Sequence, residues 1–250
     1  MRQPDKCKQM ISLTEIVTSF FSNMKKFLLI IFLLISSQFI RSQELAQVSF
    51  ANATNLSYFS FLTDGDLQIR VSADGNILEW GIEVQSFRNS DYYAPGLQPY
   101  MGRAEYYGAD ADSMFRNKVK SIGTVMITYY GSYETVDKIG KIKTIGTLVF
   151  DYFDLYADKT YKGKMKLAGR LPLVYYGSFE EEIMQGKLKS VSNTIITYHS
   201  SFDDKLVRGK IKSIGSVKYL WYTSLDIGRG GGLKTGAYRQ NIGGVTYIIQ

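Results

Sequence analysis

Beyond residue 43 apolar side chains alternate with polar ones along much of the chain. Val125, Ile127 and Tyr129 stand two residues apart, as do Leu148, Phe150 and Tyr152, then Leu171, Leu173 and Tyr175, and then Val217, Tyr219 and Trp221. A period of two places each set on one face of an extended strand. Richness in Val, Ile, Thr, Tyr and Phe suits a pleated, half-buried surface. No segment beyond residue 43 has a helical period, so the pattern predicts an all-β chain.

The alternation itself recurs. Units start at Asn117, Gly140, Gly163, Gly186 and Gly209, 23 residues apart each time. Position two is always lysine (Lys118, Lys141, Lys164, Lys187, Lys210), as is position four (Lys120, Lys143, Lys166, Lys189, Lys212), with an apolar residue between them. Position seven is Gly123, Gly146, Gly169, Ser192 or Gly215, and positions thirteen and fourteen are Tyr129-Tyr130, Tyr152-Phe153, Tyr175-Tyr176, Tyr198-His199 and Trp221-Tyr222. Each unit therefore reads as two short strands around a glycine bend. Acids near positions eighteen to twenty (Glu134, Asp158, Glu180 to Glu182, Asp203, Asp204) suit an exposed connection. Pro172, which lacks a donor, predicts an edge or a bulge in its unit. The expected fold is an antiparallel meander of repeated β-hairpins with an aromatic ladder as core; a β-solenoid gives the same period and is the alternative. If each unit touches only its neighbours, excising Gly163 to Gln185 in one piece leaves a shorter folded protein.

The flanks differ from the units. Tyr106-Tyr107-Gly108 lies 23 residues before Tyr129-Tyr130-Gly131, which predicts a degenerate cap unit from Ala94 and a repeat region over 94–227. Residues 44–93 read as an acidic β region with a separate hairpin, Asp74-Gly75 turning between Leu67-Ile69-Val71 and Ile77-Glu79-Gly81-Glu83. Residues 228–250 read as a Gly-rich linker followed by a last strand, Val245 to Ile249, with Gly232-Leu233-Lys234-Thr235 similar to a sixth unit start one residue out of phase.

Residues 1–43 set the expected compartment. Met24, Lys25 and Lys26 precede nine apolar residues, Phe27 to Ile35, and Ile40-Arg41-Ser42 precedes Gln43. This is the pattern of a secretory signal peptide, with translation expected from Met24 and an exported product in the periplasm, at the cell surface or outside the cell. Nine residues are too few to span a bilayer. Cys7 lies upstream of Met24, so the exported chain would contain no disulfide. Charge shifts along the chain: 44–116 carries four bases and ten acids, and 117–227 carries 17 bases and 11 acids. Opposite signs allow the two parts to attract each other.

Candidate chemistry is sparse. His199 is the single histidine and fills a slot that is aromatic in the other units, so a ring in the ladder is expected rather than a catalyst. With no second histidine and no cysteine after export, no zinc site, cofactor or catalytic residue is expected. Gly230 to Thr235 lacks the glycine before its lysine that a phosphate loop requires. The candidate binding residues are the ten lysines of positions two and four, expected on one face, where they either pair with loop acids or meet an anionic polysaccharide, a lipid surface or another protein. Nucleic acid is not expected as a partner of an exported chain. An outer-membrane barrel or another integral membrane protein is not expected, because Ile248-Ile249-Gln250 offers no terminal aromatic and lysines recur in every unit.

Tyr175-Tyr176-Gly177-Ser178-Phe179 and Tyr129-Tyr130-Gly131-Ser132-Tyr133 resemble the Tyr-x-Gly-x-aromatic core of MORN repeats. The Gly-Lys-apolar-Lys start is similar to MORN-variant repeats, and the chain as a whole resembles exported bacterial repeat proteins sharing that phrase. Asp154, Ser200 and Thr223 stand where the family has glycine. The resemblance implies β-hairpin units and a non-catalytic scaffold that holds partners or lipid surfaces.

Overall fold

The computed structural model describes residues 44–84 and 96–250; the expected signal peptide and the start of the cap unit at Ala94 and Pro95 lie outside the described residues. The chain is all-β. Strands β1 (Glu44–Ala51), β2 (Asn55–Leu62), β3 (Leu67–Val71), β4 (Ile77–Glu83) and β5 (Leu97–Pro99) meander antiparallel. Next come β6 (Ala104–Tyr106), β7 (Val119–Ile122), β8 (Val125–Tyr129), β9 (Ile142–Ile145), β10 (Leu148–Tyr152) and β11 (Met165–Ala168). They continue into β12 (Leu171–Tyr175), β13 (Leu188–Val191), β14 (Thr194–Tyr198), β15 (Ile211–Ile214) and β16 (Val217–Lys218), and β6 to β16 form an eleven-stranded sheet in chain order. A two-stranded ribbon, β17 (Leu220–Trp221) and β18 (Leu233–Thr235), extends it. The chain then returns: β19 (Arg239–Ile242) and β20 (Val245–Ile249) complete a seven-stranded sheet in which β20 runs parallel to β1, Gln47 opposite Thr246 and Phe50 opposite Ile249.

The antiparallel pairing selects the meander over the solenoid, and both large sheets are open, with edges β5 and β19 on one and β6 and β16 on the other. Positions nine, eleven and thirteen face the core: Ile127, Phe150, Leu173, Ile196 and Tyr219 are all buried. They pack on the inner face of the seven-stranded sheet, where Val48, Phe50, Phe59, Phe61, Ile69 and Val71 join the same cluster and Phe61 meets Phe150 edge-on at 4.9 Å. Burial of each such side chain contributes about 1.5–3 kcal/mol. The Asp74-Gly75 hairpin forms as expected but is not separate: β3 and β4 sit within this second layer. Pro172 does not create its own irregularity. Its unit is displaced at Val174/Tyr175, the place where its neighbours are, and the Pro172 carbonyl still accepts from Ser192 N at 2.8 Å.

That shared irregularity organises the molecule. Tyr129 pairs with Ile142 but Thr128 with Thr144, Tyr152 with Met165 but Asp151 with Leu167, and Tyr198 with Ile211 but Thr197 with Ser213, so the position-four lysine is the extra residue of a β-bulge. The bulge turns the peptide groups of position three out of the ladder, and buried backbone groups need partners. Their amides donate to turns of the second sheet: Met165 N to Ala73 O at 2.7 Å, Ile211 N to Ala53 O at 2.8 Å and Ile142 N to Gly75 O at 3.3 Å. Their carbonyls accept from the position-thirteen ring of the same unit, Tyr129 to Val119, Tyr152 to Ile142 and Tyr198 to Leu188 at 2.9 Å, and Trp221 Nε1 to Ile211 at 2.7 Å. Position thirteen is therefore always an aromatic that can donate. Tyr175 is the exception, its hydroxyl buried without a partner among the described residues.

Two expected outcomes follow from this geometry. Tyr152→Phe should cost about 1–2 kcal/mol in denaturant titration by orphaning the Ile142 carbonyl, whereas Tyr175→Phe, which loses no bond, should be neutral or stabilising; equal losses at both sites would contradict the assignment. Excision of Gly163 to Gln185 should not leave a cooperatively folded protein, contrary to expectation for units that touch only their neighbours. The second sheet spans several units, and removing one shifts Ile211 by two strand widths, about 10 Å, from Ala53. A sharp melt of the excised chain would show that the second sheet does not set the number of units.

Candidate functional site

The loops that join successive units all leave the same long edge of the eleven-stranded sheet, because each follows the second strand of one hairpin and leads into the first strand of the next. Each loop is closed by a two-way backbone pair, as in Tyr176 N to Lys187 O at 2.9 Å and Gly186 N to Tyr176 O at 2.8 Å. Inside it, position eighteen donates back to position fifteen, as in Glu180 N to Gly177 O at 3.2 Å and Asp203 N to Ser200 O at 3.2 Å. Positions sixteen and seventeen are thus the two central residues of a tight turn.

Neighbouring loops brace one another. The position-nineteen carboxylate of one loop receives the backbone and hydroxyl of the position-sixteen serine in the next: Asp158 takes Ser178 N at 2.8 Å and Oγ at 2.6 Å, and Glu181 takes Ser201 N at 2.9 Å and Oγ at 3.2 Å. Asp112 with Ser132 and Asp204 with Ser224 repeat the arrangement. At the remaining junction Thr135 and Leu155 replace acid and serine together. These hydrogen bonds hold the pKa of Asp112, Asp158 and Asp204 below the usual carboxylate range, the serine hydroxyl contributing most.

The ten lysines do not share one face; the bulge divides them into two rows. Position-two lysines are half-buried staples between units. Lys164 donates to Gly186 O and Lys187 to Gly209 O at 2.6 Å, and Lys118, Lys141 and Lys210 reach Gly140, Gly163 and Gly231 in the same way. Each ammonium also lies 4.7–5.3 Å from the centre of its own unit's position-thirteen ring. The row ends where Gly232 takes the place of the next lysine. There the loop shortens by one residue, and Gly231 N donates to Tyr222 O at 2.8 Å, closing the loop as Gly209 does with His199, so this glycine-rich segment is a further unit start. Position-four lysines are more exposed and face acids: Lys143 lies 3.5 Å from Glu134, Lys166 2.8 Å from Asp151 and Lys189 2.9 Å from Glu180. Lys120 is half-buried in the first unit, and Lys212 in the fifth stands where its charge lowers the pKa of Asp203.

His199 sits in the ring ladder. Tyr107, Tyr130 and Tyr176 at the same position donate to the backbone of the next unit, at Ile127, Phe150 and Ile196, over 2.7–3.0 Å. His199 instead holds Nδ1 3.2 Å from Asp203 Oδ2, and its Nε2 is buried without a partner among the described residues. Among the described residues no three His, Cys, Asp or Glu side chains gather where a metal ion could bind. No helix among them is long and apolar enough to cross a membrane.

With the polar groups of the loops engaged in bracing, the tips carry the feature that the sequence reading passed over. Position seventeen is Tyr133, Tyr156, Phe179, Phe202 and Leu225, and these side chains are 88–103% exposed. The signal was present in the sequence as an apolar residue at a constant offset within a polar loop. A concavity of about 280 Å³ opens beside the first unit, between Asn76, Trp80, Tyr106, Lys118 and Tyr129.

Against protein-family models, curated proteins and solved structures, the chain finds no match.

The staples give a pH signature. Burial brings Lys187 down to about 8 and lowers Lys118, Lys141, Lys164 and Lys210. A lysine whose pKa is depressed in the folded state binds fewer protons there than in the unfolded chain, so stability rises with pH from about 8 toward the ordinary lysine value. Beyond about pH 10 the buried tyrosines Tyr129, Tyr152, Tyr175 and Tyr198, whose pKa values burial raises, reverse the trend. Thermal melts should therefore improve between about pH 7 and about pH 9.5, less so in Lys187→Met. A wild-type melt that is flat or falling over that interval would contradict buried staples.

Proposed function

We propose that this chain is an exported, non-catalytic β-repeat scaffold whose loop edge holds an extended partner. The observation that carries this is the row of five position-seventeen side chains, 88–103% exposed on turns of which four are hydrogen-bonded to the preceding loop. Nothing in the fold calls for apolar residues there: the side chains touch little of the protein, and a serine or asparagine would suit the turn and the solvent better. Preorganised turns spare the ordering cost that a flexible binding loop would incur. The leader pattern at Met24 to Ser42 supports export, and the resemblance to MORN repeats supports a scaffold. A polyanion surface built from the lysines is the weaker alternative, since one row is committed to carbonyls and rings and members of the other face carboxylates.

The test is a variant carrying Tyr133→Ser, Tyr156→Ser, Phe179→Ser and Phe202→Ser. Exposed positions tolerate substitution within about 0.5 kcal/mol, so its melt should match the wild type. In fractionated cells of the producing organism, the wild type should stay with the envelope and the variant should appear in the soluble exported fraction. Equal retention of both proteins would remove the loop edge from the function.

A further inference from the structure

Five exposed apolar tips at one loop position define a periodic surface, and its period is fixed by the sheet. Successive tips are one hairpin apart, two strand widths of about 4.8 Å, so the row advances by about 10 Å per unit. A partner that engages all five must repeat at that interval or be featureless along it.

The charges around the tips narrow the chemistry. The five loops 131–140, 154–163, 177–186, 200–209 and 223–231 carry ten acids and six bases. Lys143 and Lys189 at their base already face Glu134 and Glu180. Stacking platforms for single-stranded nucleic acid pair their rings with a positive groove, which is absent along these loops. An anionic lipid surface needs the same excess of bases. What remains is an uncharged periodic polymer with apolar faces.

We infer that the tip row is a binding platform for a single, extended, neutral β-1,4-linked polysaccharide chain, a glucan or mannan backbone. This rests on the scaffold reading above. In such a chain the hydroxyls lie around the rim of each pyranose and the C–H groups form its two faces, which pack on aromatic rings as other apolar surfaces do. Successive sugars are flipped, so the same face recurs every second sugar, and that two-sugar step is close to the advance of one unit. Tyr133, Tyr156, Phe179 and Phe202 supply four rings, and Leu225 ends the row with an apolar contact. Neighbouring strands rotate by about 20–25°, so the row winds and fits a soluble chain that can follow it better than a flat crystalline surface.

Affinity electrophoresis through gels containing glucomannan or hydroxyethyl cellulose tests this directly, with dextran and alginate as controls and phosphatidylglycerol vesicles assayed by flotation. Retardation by the two β-1,4-linked polymers is expected, unchanged by moderate salt, with none by dextran. Calorimetry with manno-oligosaccharides should show affinity rising in steps of two sugars, as each further tip engages. Phe179→Ala, in the middle of the row, should weaken glucomannan binding about tenfold with an unchanged melt. Salt-sensitive binding to alginate or vesicles in place of the neutral polymers would overturn the neutral polysaccharide and point to the lysines instead of the tips. Failure to bind any probe, or a concentration-dependent dimer in sedimentation that the four-serine variant abolishes, would likewise overturn it, the latter in favour of a second copy of this chain. Loss of the loop edge itself would show separately, as envelope retention of the four-serine variant.

Discussion

A single misfit in the hydrogen-bond ladder governs this molecule. Because each unit inserts one extra residue at its position-four lysine, the peptide groups of position three leave the sheet and must be satisfied elsewhere. The donors and acceptors that satisfy them determine much of the remaining structure. A ring hydroxyl or indole N–H has to stand at position thirteen, and the turns of a second sheet have to reach the amides, as Ala73, Gly75 and Ala53 do. The parallel pairing of β1 with β20 then ties the first and last described strands into the layer that supplies those turns. An open ladder of hairpins becomes two sheets around one core.

The same displacement has consequences at the opposite, solvated edge. It drops the position-two lysines under the rings, where they bridge to the next unit, and leaves Lys143 and Lys189 beside the loop acids Glu134 and Glu180 and Lys166 beside the strand residue Asp151. Serine and carboxylate then lock four of the loop junctions, all but the one at Thr135 and Leu155. With polar groups used in this way, the position-seventeen tips are left as an apolar row whose spacing copies the strand spacing.

Much of the repeated sheet was legible in local pattern. Alternation placed Ile127, Phe150 and Leu173 in the core, Asp74-Gly75 marked a real turn, and Val245 to Ile249 is a strand at those residues. What the pattern concealed depends on register or on distance. A bulge changes the face of a side chain without changing its spacing in sequence, so Lys164 and Lys166 look alike although one is a staple and the other faces Asp151. The pairing of Gln47 with Thr246 joins residues far apart in the chain, for which no local signal exists. The tips were visible as letters, Tyr133 and Phe179 in the MORN-like phrase, but their full exposure follows from the loop turns and not from the alternation.

Native-state hydrogen exchange at the position-three amides addresses the governing interaction most directly. If the second sheet's turns hold them, Ile142, Met165 and Ile211 N–H should exchange only through global unfolding, with protection equal to that of ladder amides such as those of Phe150 and Ile196. Rapid exchange of these three amides in an otherwise protected sheet would contradict the claim that the bulge is satisfied by, and therefore requires, the second layer.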